Sequence, residues 1–140
     1  MKVFWCFPLV FAAGCMAQVE PTSAPTIDIE TDGPPPPPSD ARTVEDFDTT
    51  TIAERQAAAS GPAGGMLLGL AVVSLGDAAQ PGFWVETPLV SAATQGRVVH
   101  QGKSVAVELR PGGANRASLA VLRLLQVPLT DLTEVSLYAG

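Results

Sequence analysis

From Gly64 onward the chain alternates apolar runs with short turn signals at the spacing of strands. Residues 66–75 are almost wholly apolar. Their length also fits a helix, but Val72-Val73 and the glycines on either side argue for a buried strand closed by Gly76-Asp77. Residues 78–82 read as a turn and Phe83 to Thr87 as a second strand, with Pro88 interrupting before Leu89-Val90. Residues 97–100 and 103–109 flank Gln101-Gly102, the pattern of a hairpin with a tight turn. In its second arm Val105, Val107 and Leu109 alternate with Ser104, Ala106 and Glu108, so one face is predicted buried and the other wet. Residues 111–115, Pro-Gly-Gly-Ala-Asn, read as a loop. Ser118 then caps a helix over 119–125, with Leu119, Leu122 and Leu125 on one face, and Pro128 ends it. Residues 134–138 form a last strand. Four strands, a helix and a strand in some 80 residues predict a small closed or half-closed β-barrel, because so small a core leaves no room for long open edges.

Upstream of the barrel the pattern changes twice. Thr51 and Glu54 have capping-box spacing, Ala57-Ala58-Ala59 favours helix, and Gly61-Pro62 ends it, so residues 51–60 predict a short helix that forms only if it packs on the domain. Residues 15–50 read as a disordered tether. Gln18 to Ser39 is mostly Pro, Thr, Ser, Asp and Glu, and Pro34 to Pro38 is an unbroken proline run that favours an extended, semi-rigid spacer. Such a stretch buries too little apolar surface to offset the entropy of ordering it. Its PxxP spacing also matches ligands of aromatic grooves, but the spacer explains it more simply.

The first fifteen residues, MKVFWCFPLVFAAGC, have the grammar of an export leader. Lys2 supplies the positive charge, residues 3–13 the apolar run, and Ala12-Ala13-Gly14 the small residues before Cys15. The run is far shorter than the roughly 20 residues a membrane-spanning helix needs. Small residues directly before a cysteine suit a lipoprotein signal peptidase, which makes residues 1–14 the signal and Cys15 the lipidated first residue of the mature chain. Cleavage at Ala17, giving a soluble secreted protein, is the competing reading, since Cys15-Met16-Ala17 also passes as small-x-small. Met16 after the cysteine is compatible with outer-membrane sorting. The expected location is therefore the bacterial cell envelope, facing the periplasm.

Charge and cysteine usage sharpen this picture. The net charge is −6, and it belongs to the tether: between residues 16 and 50 eight acids stand against Arg42 alone, whereas residues 61–140 balance five acids with five bases. An acidic tether repels phosphates, so nucleic-acid binding is not expected. With Cys6 in the leader and Cys15 lipidated, the mature domain has no thiol for a disulfide, a metal or a nucleophile. A single histidine and scattered acids predict no metal site and no cofactor.

Candidate chemistry is sparse. Glu86 and Glu108 lie on neighbouring predicted strands and are the only carboxyls placed to act as a general acid–base pair, although solvated partners for Arg97 or Lys103 are the simpler role. His100 ends a strand with no orienting partner in sight, and neither Ser104 nor Ser118 has a base nearby in sequence. Phe83 and Trp84 point to opposite faces of a strand, so one fills the core and the other is partly exposed. With Arg97 and Arg110 beside it, an exposed Trp84 would stack on a sugar ring or a peptide stem, and these three residues form the candidate ligand site. Burial of both aromatics under neighbouring loops is the simpler reading in a domain so short of large apolar residues.

Phe83 to Thr87, Gly96 to Val99, Gly102 to Pro111, Ser118 to Leu125 and Glu134 to Tyr138 resemble, in order, the double-psi β-barrel of rare lipoprotein A. The same region, with residues 74–77, 80–84, 87–91 and 127–132, is similar to a group of small alphaproteobacterial lipoproteins that often carry the name D-galactarate dehydratase. The first resemblance implies a double-psi-like barrel with one short helix over residues 61–140. Family members that cleave peptidoglycan use an Asp in an "ND-GP" loop, a second Asp before the "LS" helix and an upstream His. Here Leu109-Arg110-Pro111-Gly112-Gly113 and Arg116-Ala117 occupy those places, and no His precedes His100. The resemblance thus implies the barrel without its cleaving acids. Sugar-acid dehydration needs a metal or a strong base beside the α-proton, which these residues do not supply either. The expectation is a lipid-anchored, non-catalytic barrel that binds peptidoglycan or an envelope protein. The alternatives are a transglycosylase-like enzyme or a sugar-acid dehydratase acting through Glu86 or Glu108.

Overall fold

The computed structural model describes residues 33–61 and 63–140. The leader, Cys15 and the first part of the tether lie outside the described residues.

Alternating apolar positions build a closed barrel. The strands β1 (Met66–Leu75), β2 (Trp84–Thr87), β3 (Thr94–His100), β4 (Lys103–Pro111), β5 (Arg116–Ala117) and β6 (Thr133–Ala139) follow the ring order β1-β5-β2-β4-β3-β6, and β6 closes on β1. β3 and β4 form the expected hairpin. Its turn residues Gln101 (φ 46°) and Gly102 (φ 78°) both take positive φ, as a two-residue turn matched to strand twist requires. β2 runs parallel to β4 and β5 parallel to β1, so each pair is joined by a crossover rather than a hairpin. The described residues are mainly β, with three short helices.

Inward positions supply the core. Val73, Val85, Val98, Val105, Leu109 and Leu137 are nearly or fully buried, and α3 (Leu119–Leu125) adds Val121, Leu122 and Leu125 to the same cluster. Each such side chain contributes about 1.5–3 kcal/mol of apolar burial. Ser118 caps α3, its Oγ accepting the Val121 N–H at 3.4 Å, and left-handed Gln126 ends it two residues before Pro128.

β5 was not expected, because Arg116-Ala117 is too short to show a period. It exists through pairing with Leu75 on one side and Val85 on the other. The other strands run one to three residues past their predicted bounds in places, notably β3, which starts at Thr94.

Upstream, the predicted helix is α2 (Ile52–Ala59), with both arms of the Thr51–Glu54 capping box formed. It lies along β4, where Gly61 sits so close to Ala106 that an added Cβ would come within 2.7 Å of the alanine methyl. The structure departs from the tether expected over residues 15–50 in the last part of that span. A further helix, α1 (Val44–Phe47), is capped by Thr43 and Asp46, and Asp48 is drawn into the fold. The Asp48 side chain is 1 % exposed, and its Oδ2 accepts from Arg123 Nη1 of α3 at 2.6 Å. Arg55 donates to Thr50 Oγ1 at 3.0 Å and to Thr50 O at 2.7 Å, which ties α2 to the same corner. Even the proline run touches the domain: Thr49 Oγ1 donates to Pro35 O, and Pro34 and Pro37 are half-buried. That spacing of three is the repeat of a polyproline helix lying with one edge against a surface.

Candidate functional site

Outward positions on β2 and β4 build the candidate site. In their parallel register Trp84 lies beside Glu108 and Glu86 beside Arg110, so an aromatic, two acids and a cation share one patch of the outer barrel face. Arg110 Nε donates to Glu108 Oε1 at 2.5 Å, and both side chains are about two-fifths exposed. Arg110 Nη1 also donates to Gln80 Oε1 at 3.2 Å. The guanidinium carbon lies 5.2 Å from the centre of a Trp84 ring, within cation–π range.

Trp84 is not an exposed ligand platform but follows the simpler reading, covered by a neighbouring loop. It is 3 % exposed, on the outer face but under the 76–82 loop, and its indole N–H donates to Gln80 O at 3.3 Å. An added Cβ on Gly76 would reach 2.5 Å from Trp84 Cη2, so the loop backbone lies directly on the ring. The indole is a wall behind Arg110 and has no free face to stack on a ligand. Phe83, its neighbour, is half-buried against the core.

The structure also separates the two arginines grouped with Trp84. Arg97 stacks on Tyr138 at 4.3 Å to the ring centre and donates to Gly64 O at 2.8 Å, on the β3–β6 side of the barrel. Arg110 alone stays with Trp84. Glu86 sits beside Gly112, and any side chain at that glycine would overlap it. Glu108 is held by Arg110 rather than paired with a second carboxyl.

The remaining candidates have structural roles. His100 Nδ1 donates to Glu134 O at 2.9 Å. Ser118 is buried, caps α3 and accepts the Trp84 N–H at 3.3 Å. Ser104 Oγ lies 3.5 Å from Arg97 Nη1.

What sequence reasoning missed is a cleft of about 710 Å³ in front of the Arg110–Glu108 pair. Gln80 and Phe83 form one wall, Glu54 and Ala57 of α2 the other, and Gly33-Pro34 lie at its edge. It exists because α2 packs on β4, which local pattern does not encode. Its lining mixes small apolar surface with amide and carboxylate groups, a composition able to hold a polar chain by hydrogen bonds and one charge pair. Among the described residues no three His, Cys, Asp or Glu side chains converge as metal ligands, and no helix is long and apolar enough to cross a membrane.

Compared with known protein families, curated proteins and solved structures, the chain matches none.

Proposed function

We propose that this is a lipid-anchored protein of the bacterial cell envelope whose barrel is a non-catalytic binding module for peptidoglycan or an envelope protein. The observation that carries the binding role is the cleft between α2 and the β2–β4 face. Its charged floor is a single internally paired arginine and glutamate, with neutral Gln80 beside it. A paired Glu108 is poorly placed as a general acid, and a cleft lined by Gln80, Gln95, Glu54 and the Arg110–Glu108 pair suits recognition of amide and hydroxyl groups. The leader supports the anchor: an apolar run, three small residues and then Cys15. The resemblance to the rare lipoprotein A barrel supports a peptidoglycan ligand, and the replaced acids support binding without cleavage.

Co-sedimentation with isolated sacculi tests this. The protein is expected in the pellet, and Arg110→Ala is expected to stay in the supernatant while folding normally. Equal pelleting of both proteins contradicts a role for this cleft, and release of soluble glycan fragments contradicts a non-catalytic barrel.

A further inference from the structure

Most of the exposed large apolar side chains lie on one side of the molecule. Met66 (70 %), Leu67 (54 %), Leu70 (66 %) and Val72 (50 %) belong to β1, and Leu132 (74 %) lines the same groove as Leu70. A closed barrel needs no further strand here, so the face is not an unfinished sheet edge. Contiguous apolar surface of this kind marks a contact site.

The charges around it say what fits. Along β1 and β6 the outward residues form three rows: Leu67 with Tyr138, Leu70 with Ser136, and Val72 with Glu134. The irregularity between Leu67 and Gly69 absorbs the extra residue of β1, so on β6 the rows fall two residues apart on either side of Ser136. Arg97 lies over Tyr138 at one end, and Glu134 is exposed at the other. Among the described residues neither Arg97 nor Glu134 has an ion-pair partner, and Arg97 Nε is buried with no acceptor. One face therefore carries a cation at one end, an acid at the other and aliphatic side chains between.

We propose that this face binds a second copy of the chain in a two-fold dimer. A two-fold axis across the strands, passing at the Leu70–Ser136 row, reverses strand direction while keeping β6 opposite β6. It sets Glu134 of each copy against the Arg97–Tyr138 stack of the other and Leu70 near its own symmetry mate. Such a contact is isologous, with each ion pair occurring twice. The proposal is independent of what the cleft binds.

Sedimentation equilibrium of the full chain, from about 1 to 100 µM, is the test. The expected result is a monomer–dimer equilibrium that Leu70→Asp abolishes. Glu134→Arg is expected to weaken it at least about tenfold, and the double reversal Arg97→Glu with Glu134→Arg to restore it. Glu134 is exposed, so Glu134→Arg keeps the fold even if Arg97→Glu does not. A monomer throughout the range overturns the proposal, and so does a dimer indifferent to Glu134→Arg. Monomers that bind neutral phosphatidylcholine vesicles through Leu70 would also overturn it, assigning the face to a membrane instead.

Discussion

The Arg110 guanidinium covers Trp84 at 5.2 Å, and this contact turns a residue with the look of a ligand platform into the back wall of a cleft. The buried indole supplies apolar area while its N–H is satisfied by Gln80 O. What reaches solvent is the arginine.

Two substitutions separate those roles. Trp84→Ala removes a side chain that is 3 % exposed and is expected to cost about 3–5 kcal/mol in urea unfolding. Arg110→Met keeps the aliphatic stem over the ring and breaks a half-exposed ion pair, so its stability change is expected to stay within about 1 kcal/mol. Sacculus binding is expected to fail in Arg110→Met. If Arg110→Met unfolds the domain, the cation is structural.

The arm ahead of the barrel is fastened by Asp48 and Arg123, which are 75 positions apart in the chain. Asp48 is buried while Arg123 is one-third exposed, so Arg123→Met leaves a carboxylate without its charged partner. A loss of about 1.5–3 kcal/mol is expected. Amide exchange in α1 and α2 is expected to rise more than in the barrel. Uniform acceleration across all strands would contradict a local clasp.

Gly96 lies on β3 between Val107 of β4 and Ala139 of β6. An added methyl would overlap Tyr138 O and come 2.5 Å from Leu109 Cδ1. Gly96→Ala is therefore expected to destabilise the barrel by about 1–3 kcal/mol, read as a lower thermal midpoint. Gly113→Ala, with open space around it, is the control and is expected to be near neutral.

Acid acts on the arm as well. The Asp46 carboxylate accepts the Arg42 and Thr43 backbone N–H groups at the start of α1, which holds its pKa below the ordinary 3.8. A lowered pKa in the folded state means the cap's contribution is complete above the unfolded value and fades as pH falls through the folded one. Carboxyl NMR titration is expected to give Asp46 an earlier-than-usual ionisation on raising pH, with the amides of residues 44–47 losing protection under acid. Titration of Asp46 at the ordinary value would contradict the cap.

Much of the barrel was legible in sequence because its signals are local. Val105, Val107 and Leu109 alternate, Gln101-Gly102 marks a turn, and Ser118 caps a helix. The features that escaped are held together across the chain. β5 depends on partners at Leu75 and Val85, and Asp48 joins the fold through Arg123. Alternation puts Phe83 and Trp84 on opposite faces, and the scarcity of large apolar residues favours loops over both, but neither says that it is the 76–82 loop that covers the outward one. Arg97 and Arg110 look like neighbours on a hairpin. Register instead pairs Arg97 with Ala106, four residues before Arg110 on the same strand. The cleft was invisible for the same reason, since α2 forms one wall and the β2–β4 face the other.

The anchor is the claim on which the envelope assignment depends, and intact mass of the mature protein isolated from cells tests it directly. The expected mass is that of a chain starting at Cys15 and heavier than its sequence by a thioether-linked diacylglycerol. A mature chain that retains residues 1–14, begins after Ala17, or carries Cys15 as a free thiol would contradict it.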